Sequence, residues 1–431
     1  DEHAADIGRV RDVSSRLDVP VGIMVDVPGA KYRTGPLCSG SLMLKRGEQI
    51  TLTSRNVVGT QKLVSVSPPG IHRDATSGHS VLLDDGLIEL KVESVGKRDV
   101  RCEVIRGGRL TENRGVATPG KSPSQPFPDE RSIVALQFAA EHQADFVALS
   151  TITRDVDIER AREVLSSHGA EPEIISKIER AEAIDNFKSI LSASDGIMVA
   201  RGDMGVEVRL AQVPVIQKDL ISKSNQAGKP VITATQMLES MVRSPVPTRA
   251  EVTDVANAIY DGTDAVMLSG ETSVGDNPID AVKVMSEIAI EAEADLPYGR
   301  IIVERRQLLE PKTDDAISYD ACQTAHQLNA SLILAFTESG GTAGRVSKYR
   351  PLPPVLALTP SIKVQHRLTL RWGVIPITVS RIETVDDFFE LGEEMAVRVL
   401  GATSGSLIVL VAGLPIGVSG GTNLLRVMTI S

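Results

Sequence analysis

The chain reads as an α/β protein: a (β/α)8 TIM barrel carrying an inserted small β-barrel domain and followed by an open α/β domain. Three observations predict this. Short, wholly apolar runs, each ending in Ser, Thr, Lys, Glu or Asp, alternate with helical patterns, as in a parallel sheet covered on both faces with a site at its carboxyl ends. From about residue 36 this alternation gives way to short period-two runs and an Asp85-Gly86 hairpin signal. From about residue 305 strands and helices alternate again, in a pattern that suits an open sheet with helices on both faces.

Residues 1–18 form a polar helical pattern, and 19–26 (VPVGIMVD) a buried strand ending in an acid. The turn-rich segment 28–35 follows with Lys31 and Arg33; at a strand end it is either a functional loop or an ordinary loop with solvated charges. The inserted domain shows alternation at Ile88, Leu90 and Val92 and again at Val100, Cys102 and Val104. It ends in the proline-marked stretch 119–128, which suits a hinge or linker. A helix is expected over 129–141 and strands over 144–150, 173–179, 196–200, 229–235 and 265–269, with helices over 211–227 and 247–260 among the connections. One amphipathic helix is expected to carry Ala183, Ile184, Phe187, Ile190 and Leu191. That makes six barrel-type strands where a closed barrel has eight, so two are expected before Asp1. The third unit has strands at 331–336, 354–358, 373–377 and 406–412. The resulting domains are a barrel at 1–34 and 122–304, the β domain at 35–121 and the C-terminal domain at 305–431.

The formal charge of −10 excludes a global field for nucleic acid or an anionic membrane, so any phosphate site must be local. No signal-peptide pattern or membrane-length apolar run is present, and Cys38, Cys102 and Cys322 lie far apart without metal or redox spacing. A reduced, cytoplasmic compartment is the simplest expectation.

Residues 172–208 concentrate the chemistry. A strand, a helix and a strand of this length make a parallel βαβ unit, which brings Lys177, Glu179 and Asp203 to one rim. Two carboxylates with water access suit a hard divalent cation that keeps coordination places for substrate. A neighbouring ammonium can neutralise a phosphoryl group or an enolate. The alternative is a surface cluster of ion pairs. In the third unit, Thr337, Glu338, Ser339, Gly340, Gly341 and Thr342 follow a strand and open a helix, and a second loop, 413–423, is rich in glycine. Such a loop binds phosphate through backbone N–H groups or is simply a tight turn with a helix cap; the Gly-Lys-Ser/Thr ending of a P-loop is absent.

SKIE at 176–179, VARGDMGVEV at 199–208, ATQMLESM at 234–241, PTRAE at 247–251 and MLSGET at 267–272 occur in that order, with DDGLI at 84–88 in the inserted domain. Together they resemble the pyruvate kinase family over essentially the whole chain. The resemblance implies phosphoryl transfer from phosphoenolpyruvate to ADP, giving pyruvate and ATP, the last step of glycolysis. It implies that Glu179 and Asp203 hold Mg2+ or Mn2+, that Lys177 stabilises the transferred phosphoryl group, and that the Arg201-Gly202-Asp203 turn meets the substrate carboxylate. By the same resemblance Thr235 lies beside the enolate, Ser269 and Glu271 belong to the proton-relay surroundings, Arg33 lies near the transferred phosphate, and the inserted domain closes as a lid. The 337–342 loop is similar to the family's effector loop, which implies a phosphorylated allosteric effector, and the family is usually tetrameric. The chain departs from the pattern at Lys31, where many members have Glu, at Val27 in place of Thr and at Ala30 in place of Pro. A fixed ammonium at Lys31, beside Asp26, would substitute for bound K+, so K+-independent activity is expected. The family's opening strands, which carry an arginine and an Asn/Ser pair, are not seen. A Mg2+-dependent lyase or aldolase of the related phosphoenolpyruvate barrels would explain the carboxylates but not the two additional domains; a non-catalytic ligand-binding relative is the third reading.

Overall fold

The computed structural model describes residues 2–120, 126–382, 384–415 and 421–430. Six parallel strands form one sheet, each pairing with the next in chain order: Met24–Val27, Phe146–Leu149, Glu173–Ile178, Gly196–Ala200, Val231–Ala234 and Ala265–Val266. Three of the four central strands are apolar almost throughout because both their faces are covered; Glu173–Ile178 also carries Glu173, Ser176 and Lys177. Phe146, Ala148, Ile175, Met198 and Ile232 pack together on one face. On the other, Val147, Ile174, Val199 and Val231 pack with Leu136, Ile158 and Leu220 of the helical layer. All six strands end at one rim.

The helical segment expected over 183–191 is two helices, Ala181–Asp185 and Phe187–Ala193. They part at Asn186, whose side-chain amide donates to the Thr153 carbonyl at 2.9 Å instead of facing solvent from a continuous helix. The PTRAE motif starts the helix Arg249–Tyr260 through a capping box in which Thr248 and Glu251 satisfy each other's backbone N–H groups.

The inserted domain is a closed barrel of seven strands around Leu52, Val64, Leu83, Leu90, Val100 and Cys102. The expected hairpin joins Ser80–Leu83 to Ile88–Val95, with Asp84, Asp85 and Gly86 all at positive φ. Tyr32–Thr34 is a strand of this small barrel, pairing with Leu63–Ser67 and Gly115–Ala117. It therefore does not belong with the first segment of the large sheet, where the 34/35 boundary places it. Part of the proline-marked linker, 121–125, lies outside the described residues.

The C-terminal sheet has the order Val374–Thr378, Val355–Thr359, Leu332–Phe336, Leu407–Ala412, Leu424–Thr429. The last strand is antiparallel and was not foreseen. It lies at the sheet edge and is only partly buried, so it has no continuous apolar run to give it away. This domain is fastened beneath the large sheet by Arg350. Its guanidinium bonds Asp264 Oδ1 at 2.7 Å, Asn225 Oδ1 at 2.9 Å and the Gly262 carbonyl at 2.9 Å, and it stacks on Trp372.

Candidate active site

At the carboxyl rim the strands deliver Asp26, Ser150, Lys177 and Glu179 side by side. Lys177 Nζ bonds Asp26 at 3.1 Å and Ser150 Oγ at 2.8 Å. Burial works against its charge, but Glu179, Asp26 and Asp203 outweigh it and hold Lys177 above the ordinary lysine value. Glu179 is buried; its Oε1 accepts from the Thr151 backbone N–H at 2.5 Å, while Oε2 has no hydrogen-bond partner. Burial, with the negative charge of Asp203 added, raises its carboxyl to about 7 against the pull of Lys177 and Lys31. Asp203 lies in the first turn of the helix Arg201–Glu207 and pairs with Lys31.

These residues line a cleft of about 550 Å³ together with Arg33, Pro28, Gly29 and Arg131. A narrower slot continues under the small barrel, where Leu82, Asp85 and Val116 face Glu179, Arg180, Asp203 and Glu207. Gly29 is required here: a Cβ on it would come within 1.7 Å of Thr151 Oγ1.

An unpartnered buried carboxylate oxygen beside a second, accessible carboxylate fits a divalent cation that takes its remaining ligands from water and substrate. The arrangement thus offers a metal position, a fixed ammonium and a cleft for an anion.

The other expected residues are placed differently. Thr235 Oγ1 accepts from the Gly202 N–H at 2.8 Å and donates to the Ala234 carbonyl, so Thr235 and Gly202 are joined next to Asp203. Thr235 and Gln236 both have positive φ, and Arg201 holds this loop by donating to both carbonyls while pairing with Asp254. The expected Arg201-Gly202-Asp203 turn is the first turn of a helix, and the one Gly202 N–H is already engaged. Glu271 is buried and accepts from the backbone N–H groups of Leu238 and Ser269. Thr235, Ser269 and Glu271 are not among the residues lining the Lys177 cleft. Arg33 donates to the Asn113 carbonyl at the cleft's edge.

In the C-terminal domain, Thr337 Oγ1 accepts from the Gly340 N–H, and Thr342 Oγ bonds that of Thr422. Ser339, Gly340 and Gly341 line a pocket of about 330 Å³ with Arg345, Arg367 and Arg371. Glu338 Oε1 is buried without a partner. Residues 416–420 of the glycine-rich loop lie outside the described residues. Ser150, Thr151, Arg180 and Glu207 were not singled out from the sequence. Nothing in their residue types or spacing marks them; only the strand register brings them to the rim.

Fold and site together define an α/β-barrel enzyme whose cleft, with its lysine and paired carboxylates, suits an anionic substrate. The family model "Pyruvate kinase, barrel domain" matches residues 1–282 and "Pyruvate kinase, alpha/beta domain" matches 315–428. A pyruvate kinase of Clostridium acetobutylicum is 42% identical over all of this chain and 91% of its own length. One from Staphylococcus epidermidis is 42% identical over 99% of this chain and 73% of its own. The crystal structure of a pyruvate kinase from Cryptosporidium parvum superposes with a TM-score of 0.91 at 36% identity, covering 98% of this chain and 87% of that one. The chain belongs to the pyruvate kinase family and is a phosphotransferase, with phosphoenolpyruvate and ADP as the substrates the family implies.

Proposed function

We propose that Lys177, Glu179 and Asp203 are the working centre of this phosphoryl transfer. The observation that carries this reading is Glu179 Oε2, buried and unpartnered within the cleft that also holds Lys177 and Asp203. Glu179 and Asp203 would hold Mg2+ or Mn2+, which when bound supplies Lewis-acid neutralisation of phosphoryl and enolate oxygens. Lys177, held charged by its carboxylate neighbours, neutralises the migrating phosphoryl group, since such transfer rests mainly on positioning and electrostatics. Arg33 reaches the same group from the cleft edge. Thr235, joined to Gly202 next to Asp203, would stand beside the enolate and help its protonation. Glu271 and Ser269 act through the Leu238 and Ser269 backbone that frames this loop. The test is a coupled assay for ADP-dependent pyruvate formation together with Mn2+ binding: Glu179→Gln and Asp203→Asn should each lose both, and a variant that keeps wild-type Mn2+ affinity removes its residue from the metal site.

The pairing of Lys31 with Asp203 supports an ammonium standing where K+ would act, in the cleft that Asp26 also lines. Activity is then independent of K+; a many-fold rise in rate when K+ replaces tetramethylammonium would refute it. The 337–342 loop, with the arginines beside it, is proposed to take a sugar phosphate or another phosphorylated effector. A saturation curve unmoved by a panel of such compounds would count against that. A homotetramer acting in the cytoplasm, without nucleic-acid or membrane partners, completes the proposal. Among the described residues no helix is long and apolar enough to cross a membrane. Light scattering on the purified protein tests the assembly.

A further inference from the structure

The two proposed metal ligands lie past the ends of their strands. The ladder between Glu173–Ile178 and Gly196–Ala200 stops at Ile178 and Val199. Glu179 is then held by the Thr151 N–H, and Asp203 by Lys31, both side chains of that second pair being more than one-third exposed. One buried ion pair ties the two segments together beyond the ladder. Arg180 Nη1 donates to Glu207 Oε1 at 2.7 Å, with side chains 12% and 6% exposed. Arg180 directly follows Glu179. Glu207 stands four residues after Asp203 in the same short helix, and so on the same face. Glu207 lines one slot with Gly115, Val116 and Ala117, the small barrel's last strand, and the Gly120 N–H just past it favours the ionised form of Glu207. Both residues line the slot between Glu179, Asp203 and the small barrel.

We propose that Arg180 and Glu207 are positioning residues that set the separation of Glu179 and Asp203 and fasten the returning end of the small barrel to the same helix. The pair needs no contact with substrate. It acts by holding two short connections rigid where sheet hydrogen bonds have ended, and by making the small barrel's attachment depend on that helix. The proposal rests on Glu179 and Asp203 being the metal ligands for its first half; its second half, the Gly120 attachment, does not.

The test uses the full-length protein and two readouts: hydrogen exchange of the Gly120 amide without metal, and the Mn2+ dissociation constant by electron spin resonance without substrate. Deleting one partner alone would strand a buried charge, so the principal variant is the double R180M/E207M, which replaces the pair by apolar side chains of similar length. It is expected to weaken Mn2+ binding about tenfold, the usual scale for groups supporting metal ligands, and to speed Gly120 exchange. R180K should restore part of the Mn2+ affinity. A double variant with wild-type values for either readout overturns the proposal. If it does not fold, E207Q keeps an acceptor for Gly120 but no charge for Arg180. It should then weaken Mn2+ binding while leaving Gly120 protected, and wild-type affinity in E207Q overturns the proposal. Asp203→Asn is the control: if it binds Mn2+ normally the metal assignment itself is wrong, whereas Gly120 exchange still decides the attachment.

Discussion

Replacing Glu179 by Gln should change how stability depends on pH. Without metal, burial lifts this carboxyl from 4.5 to about 7, with Asp203 adding to the effect. The folded protein therefore holds a proton that the unfolded chain releases near 4.5, and stability must fall as pH rises between those values. At about 1.4 kcal/mol for each tenfold change, that rise corresponds to about 3 kcal/mol. Below 4.5 both states are protonated and the effect vanishes; above about 7 both are ionised and the loss is complete. A side-chain amide at this position cannot ionise, so the variant lacks this slope. Urea unfolding followed by far-ultraviolet circular dichroism at pH 5 and pH 8, in chelator, measures it. The wild type should lose about 2.5 kcal/mol more than the variant across that interval. Saturating Mg2+ should stabilise the wild type far more at pH 8 than at pH 5, because only the ionised carboxylate can ligate. Parallel pH profiles, agreeing within about 0.5 kcal/mol as for an inconsequential substitution, would refute the reasoning.

Three further outcomes are expected. Lys177→Met should lower kcat by roughly a hundred- to a thousandfold, the cost of losing one preorganised charge at a transition state, with a much smaller change in KM for phosphoenolpyruvate; steady-state kinetics would show it. Arg350→Ala should destabilise the protein by about 3–5 kcal/mol because it strands Asp264, a buried carboxylate that Arg350 holds below the ordinary range despite burial; chemical denaturation measures this, and a paired Arg350→Met, Asp264→Asn change should recover much of it. Gly29→Ala should cost most of the activity and lower Tm, since the added methyl meets both Thr151 Oγ1 and, at 2.5 Å, the Ser150 carbonyl; an unaltered melting curve would mean the rim can yield there.

Much of the architecture was legible along the chain. Strands such as 146–149 and 196–200 are continuous apolar runs, because helices and the inner layer cover both faces, and hydrophobicity records that burial directly. The hairpin at Asp85-Gly86 was legible because its positive φ angles demand those residue types. The break at Asn186 was not, since Asn is compatible with a helix and only the Thr153 carbonyl from a distant loop draws its side chain away. Leu424–Thr429 was missed because a half-exposed edge strand leaves little pattern. Tyr32–Thr34 was read as part of a turn-rich segment because three residues carry too little signal to mark a strand.

The site divides in the same way. Lys177, Glu179 and Asp203 could be placed on one rim from the sequence, because parallel strands joined by a helix must end on the same side. Their condition could not. That Glu179 has lost its water, that Lys31 comes from a remote segment to pair with Asp203, and that Thr235 is joined to Gly202 all depend on contacts between segments far apart in the chain. Local pattern determines which residues are delivered to the rim. Burial and charge at the rim, which decide how those residues behave, exist only once the sheet, the helical layer and the small barrel have closed around them.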